Sequence, residues 1–267
     1  MKRILLVALL LGYMLNTSFA IDPGRATGTL KVGKHQIELK HAYAHKYNNE
    51  EELLNGPELR ILLTDQEVPQ ELLSGYDALM RIDGWVREGK VRGVLIKLDP
   101  KNPSAGMSGT LLFRPAKPKS SLISFISSGQ GGVGDFMMGN NRVGGKAAYK
   151  SESQGFSKDI PPFEFFVSFS APLFHDEKIT AKLTGAKAAK SAPAQALIAY
   201  YKALSLGDFE PTQNSPINER WKTDPLQLEQ KINRVFIRGA RAVVILQEDG
   251  EKSAQSMIQK NGVWKVN

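Results

Sequence analysis

The sequence predicts an α+β protein in two parts: a β-rich sandwich or half-barrel, then a small module of helices and a curved sheet. Over residues 21–184, short apolar segments alternate with Gly- and Pro-containing turns, and one helical stripe interrupts them. This pattern is typical of antiparallel β structure. From residue 191 the pattern changes to a helix followed by closely spaced hairpins. The stretch 185–190 has no large apolar side chain, and we interpret it as a linker.

Residues 1–20 have the pattern of a secretory signal peptide. Lys2 and Arg3 precede an apolar run from Ile4 to Leu15, and small residues follow up to Ala20. The run is shorter than the roughly 20 residues that a membrane helix needs. We therefore expect cleavage near Ala20 and a periplasmic or secreted protein. No later apolar run is long enough to span a bilayer, so the protein is not predicted to be membrane-anchored.

The composition excludes several kinds of chemistry. Cysteine is absent, which removes disulfides, thiol nucleophiles and thiolate metal ligands. The formal net charge of +8 includes Lys2 and Arg3 of the predicted signal peptide. The remaining basic residues are scattered along the chain, whereas nucleic-acid binding proteins concentrate them in a patch or stripe. We therefore expect no nucleic-acid partner.

A hairpin opens the first part. Apolar and polar residues alternate in 29–32 and 36–40, on either side of Gly33, which predicts two antiparallel strands. The second strand is expected to turn one set of side chains inward: Ile37, Leu39, His41 and Tyr43.

A third strand and a helix follow. Leu59–Leu63 is the strand, and a capping box at Ser74–Asp77 predicts the start of the helix. Its apolar stripe ends near Gly89, a suitable helix stop. Strands then resume in four further segments: 91–98, 109–113, 121–126 and 163–169.

Residues 127–146 are rich in glycine and are interpreted as a mobile loop. Phe136, Met137 and Met138 lie in this stretch, where they either close over a ligand or partner or fold back onto the sheet. Its glycine spacing resembles a dinucleotide-binding loop, but no helix start follows it. No nucleotide or other cofactor is therefore predicted.

No metal or catalytic site is predicted in the first part. His41 and His45 lie four residues apart on a strand, which separates them by roughly 13 Å, too far to share one ion. His175-Asp176-Glu177 follows a strand and is interpreted as a solvated turn. The sequence also lacks the strand-to-helix elbow that exposes a nucleophilic serine.

The second part begins with a helix. Ser191 suits the N-cap, Pro193 suits the first turn, and an apolar stripe continues to Gly207. A second helix is predicted from residue 224 or 225 to about 233. The strands that follow, with turns such as Asn261-Gly262, are 235–238, 242–247, 252–259 and 263–266.

The helix ends near a Gly207-Asp208 pair, and the chain closes on Gly262-Val-Trp-Lys-Val266. With these motifs, residues 191–267 resemble the nuclear-transport-factor-2-like (NTF2-like) superfamily. The resemblance implies a helix packed on a curved sheet, and also a homodimer, because such modules often pair through their sheets. The first part is similar to β-rich extracytoplasmic domains of uncharacterised bacterial proteins, a similarity that implies no activity.

Aromatic residues of the second part either line the concave face of the curved sheet or fill an ordinary core. The candidate binding residues are therefore Tyr200, Tyr201, Trp221 and Trp264, together with Phe136, Met137 and Met138.

These observations predict an exported, non-catalytic binding or interaction protein of the bacterial envelope. Its partner would be a small ligand or an envelope protein, bound at the sheet of one part and in the cleft between the two. One alternative is a small extracytoplasmic enzyme that uses a carboxylate in the second part, or a lid formed by 127–146. Another is an envelope assembly factor that offers an edge strand to its partner.

Overall fold

The structure is a computed structural model, and it describes residues 24–103, 105–114, 122–127, 131–151, 161–206 and 225–267. The predicted signal peptide and Trp221 lie outside these ranges. Of the helices in the described ranges, none combines the length and the apolar character needed to cross a membrane.

Nine strands form the first sheet. They are β1 (Arg25–Val32), β2 (His35–Tyr47), β3 (Glu58–Thr64), β4 (Gly93–Leu98), β5 (Met107–Leu112), β6 (Ile123–Ser127), β7 (Gly131–Gly139), β8 (Arg142–Lys150) and β9 (Phe163–His175). Their spatial order is β6-β5-β4-β3-β2-β1-β9-β8-β7. Successive pairs in this order are antiparallel, and the ends of β2 and β9 also pair in parallel at 44–46 and 173–175.

The first sheet curls so that its two ends meet over one core. Phe125 on β6 lies 4.5 Å from Tyr149 on β8, measured between ring centroids. The same ring lies 5.5 Å from Phe163 and 5.9 Å from Phe165, both on β9. Because β6 lies far from β8 and β9 in the strand order, only a curled sheet allows these contacts. The half-barrel alternative of the predicted fold class is confirmed.

Helices cover part of the outer face of this sheet. Helix α1 (Ala78–Arg87) and a short 3-10 helix (Gln70–Leu73) pack there against Leu62 and Leu95. The predicted helix and the hairpin around Gly33 are both confirmed. The segment between the two helices, residues 74–77, forms one wall of the cleft described below.

The alternation of β2 changes phase halfway along the strand. Ile37 and Leu39 face the inner core, as predicted, but beyond His41 the inner positions belong to Ala42 and Ala44. Tyr43 packs instead with the outer cluster beneath the helices. The register of β1 against β2 shifts at this point, where Arg25 pairs with His41 and Gly28 pairs with Leu39. The alternation of β2 is interrupted there, so its later residues occupy the opposite faces. The predicted inward placement of Tyr43 is therefore wrong.

The interpretation of 127–146 as a mobile loop is wrong, because β7 and β8 form a hairpin over most of it. The hairpin turns at Asn140-Asn141, both with positive φ, as a tight turn requires. Gly145 allows close strand packing, since a Cβ there would lie 2.9 Å from Val133. The glycines thus allow the two strands of this hairpin to pack closely. The alternative that 127–146 forms a lid has no support, because most of the segment is part of the sheet.

The second sheet contains β10 (Ala181–Thr184), β11 (Ile232–Arg238), β12 (Arg241–Glu248), β13 (Glu251–Lys260) and β14 (Val263–Val266), in sequential order. Helices α2 (Gly185–Ala189), α3 (Ala192–Ser205) and α4 (Pro225–Lys231) pack on one face. The predicted helices and strands after residue 191 are confirmed in the described ranges.

The stretch 185–190, interpreted as a linker, contains α2. Ala188 and Ala189 of this helix are buried in the core of the second sheet. The second sheet and its helices therefore begin at Ala181, ahead of the predicted boundary. Small side chains, which looked like linker composition, are what allow this short helix to lie close to β11.

We expect Phe125→Ala to lower the free energy of unfolding by about 3–5 kcal/mol, because it empties the centre of the curled sheet. Ile126→Ala, on the same strand with 74% of its surface exposed, should change it by less than about 0.5 kcal/mol. Urea denaturation of both variants measures the difference. Equal losses would show that the ends of the sheet do not meet over a common core.

Candidate functional site: a cleft between the two sheets

A cleft of about 370 Å³ lies between the outer side of the first sheet and one face of the second sheet. The first sheet contributes β2, the end of β9 and the segment that enters α1. The second sheet contributes β11, β12 and β13, on the face opposite its helices. Both parts of the chain therefore build the cleft.

Arg60 fixes one wall of the cleft, the segment that leads into α1. Its guanidinium is buried on β3 and donates to the carbonyl oxygens of Leu73 and Gly75. The charge is balanced by Glu58, whose Oε2 lies 2.9 Å from Nε, and the group stacks 4.3 Å above the ring of Tyr47. Because a buried arginine needs all of these partners, the segment 73–75 is fixed against the sheet.

His45 and Asp176 form a buried pair on the floor of the cleft. Nε2 of His45 lies 3.1 Å from Oδ1 of Asp176, and the N–H of Gly75 donates to the same oxygen at 2.9 Å. Nε2 does not point at the oxygen well enough for an aligned hydrogen bond, so it has no hydrogen-bond partner among the described residues. Nδ1 of His45 is also buried and has no partner among the described residues.

The surroundings of Asp176 lower the pKa of its carboxyl. Burial raises this pKa, but contact with His45 and its charge, the N–H of Gly75 and the charge of Arg238 together lower it by more. The interpretation of 175–177 as a solvated turn is wrong for Asp176, whose side chain is only 8% exposed. The His45–Asp176 pair depends on the parallel pairing of β2 with β9, which no local sequence pattern predicts.

Glu51 and Arg238 form the buried ion pair that joins the two sheets. Oε1 of Glu51 accepts from Nη2 of Arg238 at 2.7 Å and from Nε at 3.1 Å. The hydroxyl of Tyr47 donates to Oε2 at 3.0 Å. Burial lowers the pKa of Arg238, but the bond and charge of Glu51 raise it by more, so the guanidinium stays charged. Burial and Glu51 raise the pKa of the Tyr47 hydroxyl, which therefore remains a donor.

Asp77 makes a second connection between the sheets. It occupies the N-cap of α1, but its side chain does not cap the helix. Oδ2 accepts the hydroxyl of Ser256 on β13 at 2.7 Å, and Oδ1 lies 3.5 Å from Nη2 of Arg81. Ser74 donates to the carbonyl of Glu71. The capping box predicted at Ser74–Asp77 is therefore wrong, because both side chains are used elsewhere.

Two arginines converge on Ser74. Arg81 donates to its carbonyl oxygen, and Arg241 on β12 donates to its hydroxyl. Burial lowers the pKa of Arg81, and the charges of Arg241 and Arg60 lower it further against the opposing effect of Asp77. Nε of Arg81 is buried without a partner among the described residues. Within the same residues, no carboxylate lies within 4.0 Å of the Arg241 guanidinium.

The candidate binding residues predicted from sequence lie away from this cleft. Tyr201 and Trp264 pack at the margin of the core between α3 and the second sheet, and the ring of Tyr200 lies 5.7 Å from that of Tyr201. In the described ranges this space is filled by apolar side chains: Leu197, Leu228, Val235, Val244 and Met257.

The three candidates of the first sheet lie on β7. Phe136 folds back against the inner core, whereas Met137 and Met138 are 69% and 46% exposed. They do not line the cleft. Among the described residues no group of three potential ligands could hold a metal ion.

The charged residues of the cleft were not predicted, because in the sequence each of them looks like an ordinary charged residue of the protein surface. One signal was present on β11, where Arg234, Phe236 and Arg238 alternate with residues of the helix-facing core. A strand with arginines at every second position and an aromatic between them presents one polar face. That face is the one that meets the first sheet.

We expect Arg238→Leu to lower the free energy of unfolding by about 3–5 kcal/mol, because it leaves Glu51 buried without its cation. Arg234→Leu is the matched control on the same strand. Its partner Glu52 is 60% exposed, so we expect a loss below about 1 kcal/mol. Urea denaturation measures both, and adding Glu51→Gln to Arg238→Leu should recover part of the loss. Equal effects of the two leucine variants would contradict the buried pair.

The lowered pKa of Asp176 predicts an acid-dependent contribution to stability. A carboxyl with a depressed folded pKa stabilises the fold above its unfolded pKa of about 4, and the contribution is lost as pH falls through the folded value. Asp176→Asn removes this contribution, so its free energy of unfolding should fall less steeply than that of the unmodified chain below about pH 4. Denaturation from about pH 6 to about pH 3 tests this. Asp249→Asn, in an exposed turn, is the control, and a variant curve parallel to the unmodified one would refute the role of Asp176.

Comparison with known proteins gives no match to this chain: no family model, no curated protein and no solved structure is similar enough. The function is therefore argued from the cleft itself.

Proposed function

We propose that this chain is an exported, non-catalytic binding protein that holds a small ligand in the cleft between its two sheets. The observation that carries the proposal is that both sheets contribute buried charged side chains to one cavity. Export, and with it a periplasmic or secreted location, is proposed from the pattern of residues 1–20.

The size and lining of the cleft support a small ligand. Its volume of about 370 Å³ lies within the range of small-molecule sites. Phe236 and Val243 supply an apolar patch on the second sheet, and polar groups from both parts of the chain surround it. Those polar groups are held by the contacts of Arg60 and by the Glu51–Arg238 pair. A site whose groups are already in position binds without a large ordering cost.

The partners of the buried carboxylates favour binding over catalysis. Glu51 is paired with Arg238, Asp77 with Arg81 and Ser256, and Asp176 with His45. A general base must be free to take a proton from its substrate. The enzyme alternative placed its carboxylate in the second part, whereas these three belong to the first.

We also propose that the second part is an NTF2-like module. The order of α3, α4 and a meander ending in the Asn261-Gly262 hairpin supports this. In such a module the ligand would lie on the face opposite the helices, because the helix side carries a filled core in the described residues. The homodimer implied by the resemblance would then have to leave this face open to the ligand.

The proposal is tested by capture of a small molecule from an extract of the bacterial envelope. The purified chain is incubated with the extract, washed and denatured, and the released molecules are identified by mass spectrometry. We expect one compound to be enriched and recovered chemically unchanged. Conversion of that compound during incubation would favour the enzyme alternative.

Val243→Trp fills the cleft and should lower capture by at least about tenfold. Val263→Trp makes the same change at an exposed position on β14 and should leave capture intact. The urea midpoints of both variants show whether they fold. No enriched compound, or equal capture by two folded variants, would contradict a binding function for the cleft.

A further inference from the structure

We infer that the ligand of this cleft carries an oxyanion, a carboxylate or a phosphate group, and that Arg241 binds this group together with Arg81. The inference rests on the binding function proposed above and specifies the chemistry of the ligand.

The first step is the balance of charge inside the cleft. Three buried carboxylates face it, and each already has a partner: Glu51 pairs with Arg238, Asp77 pairs with Arg81, and Asp176 contacts His45 and accepts the N–H of Gly75. Arg241 is the additional cation. Its guanidinium contacts the hydroxyl of Ser74 and has no carboxylate within 4.0 Å in the described ranges.

The second step is the approach of two guanidinium groups. Arg81 and Arg241 contact the carbonyl and the hydroxyl of the same residue, Ser74. Like charges held this close in a partly buried site repel each other, and the lowered pKa of Arg81 reflects both burial and the charge of Arg241. An anion placed between them would relieve the repulsion.

The third step is the hydrogen-bonding capacity that is still unused. Nε of Arg81 and Nδ1 of the fully buried His45 have no partner among the described residues, and both side chains line the cleft. A guanidinium presents its donors in a planar fork that matches carboxylate and phosphate oxygens. The guanidinium donors of Arg81 and Arg241 in this wall therefore suit an oxyanion.

The rest of the cleft limits what the anion can be attached to. Phe236 and Val243 form an apolar side next to Arg241, so an uncharged carbon skeleton fits there. Glu71 and Glu177 are exposed at the rim, where water and salt screen their charge from the interior. Their position disfavours a polyanion that extends out of the cleft. The ligand is therefore a small molecule with its negative charge at one end.

The inference is tested with three defined probes: butyrate, methyl phosphate and butyramide. Butyramide has nearly the size and shape of butyrate but no charge. Saturation-transfer NMR with the purified chain should detect butyrate, methyl phosphate or both, and should detect no binding of butyramide. The first two probes distinguish a carboxylate site from a phosphate site.

Arg241→Gln should weaken binding of the anionic probes by about tenfold or more. Arg87→Gln is the matched control, since Arg87 is an exposed arginine of α1 that pairs with Asp83 outside the cleft. Urea midpoints establish that both variants are folded. Three results would overturn the inference. They are binding of butyramide as tight as that of butyrate, no binding of either anion up to about 10 mM, and an equal loss of anion affinity in the two variants.

The capture experiment distinguishes this failure from a failure of the proposed function. If Val243→Trp loses a captured compound and that compound is neutral, the cleft binds a ligand but the oxyanion inference is wrong. If no compound is captured and neither anion binds, the binding function itself fails.

Discussion

The ion pair between Glu51 and Arg238 is the interaction on which the arrangement of this molecule depends. The two residues are separated by 187 positions in the chain: Glu51 lies in the turn between β2 and β3, and Arg238 lies on β11 of the second sheet. A carboxylate as buried as that of Glu51 costs several kcal/mol unless a cation accompanies it. Docking of the two parts therefore requires that Arg238 meets Glu51 as both become buried. Because the cleft exists only in the docked arrangement, the same pair that joins the sheets also creates the candidate site.

The remaining buried charges also have partners, and these contacts make the cleft rigid. Arg60 uses two backbone carbonyls, Glu58 and the ring of Tyr47, and thereby fixes the wall that carries Ser74 and Gly75. Asp176 binds that wall from the other side through the N–H of Gly75. Each of these carboxylates has a partner, whereas Arg241 has no carboxylate within 4.0 Å among the described residues. A preorganised site with one uncompensated charge is suited to recognising a ligand of the opposite sign.

Most individual elements of this fold could be predicted, because alternation and turn residues act over a few neighbouring positions. The failures have local physical causes. Glycines in 131–145 permit close strand packing, although the same residues also occur in mobile loops. Alanines in 185–189 allow a helix to approach a sheet, although the same composition is common in linkers. A register shift between β1 and β2 interrupts the alternation of β2, and the apparent capping box failed because Asp77 binds Ser256.

The sequence by itself determined the strands, the main helices, the hairpin turns and the absence of thiol chemistry, since these follow from residue type and short spacing. Only the tertiary structure decided which charges meet. His45 reaches Asp176 because β2 and β9 pair at their ends, and Arg241 reaches Ser74 because the two sheets dock. Strand order and docking are set by contacts between distant segments, and periodicity carries no information about them. For this reason the aromatic candidates were readable from the sequence, whereas the charged cleft became visible only in the folded chain.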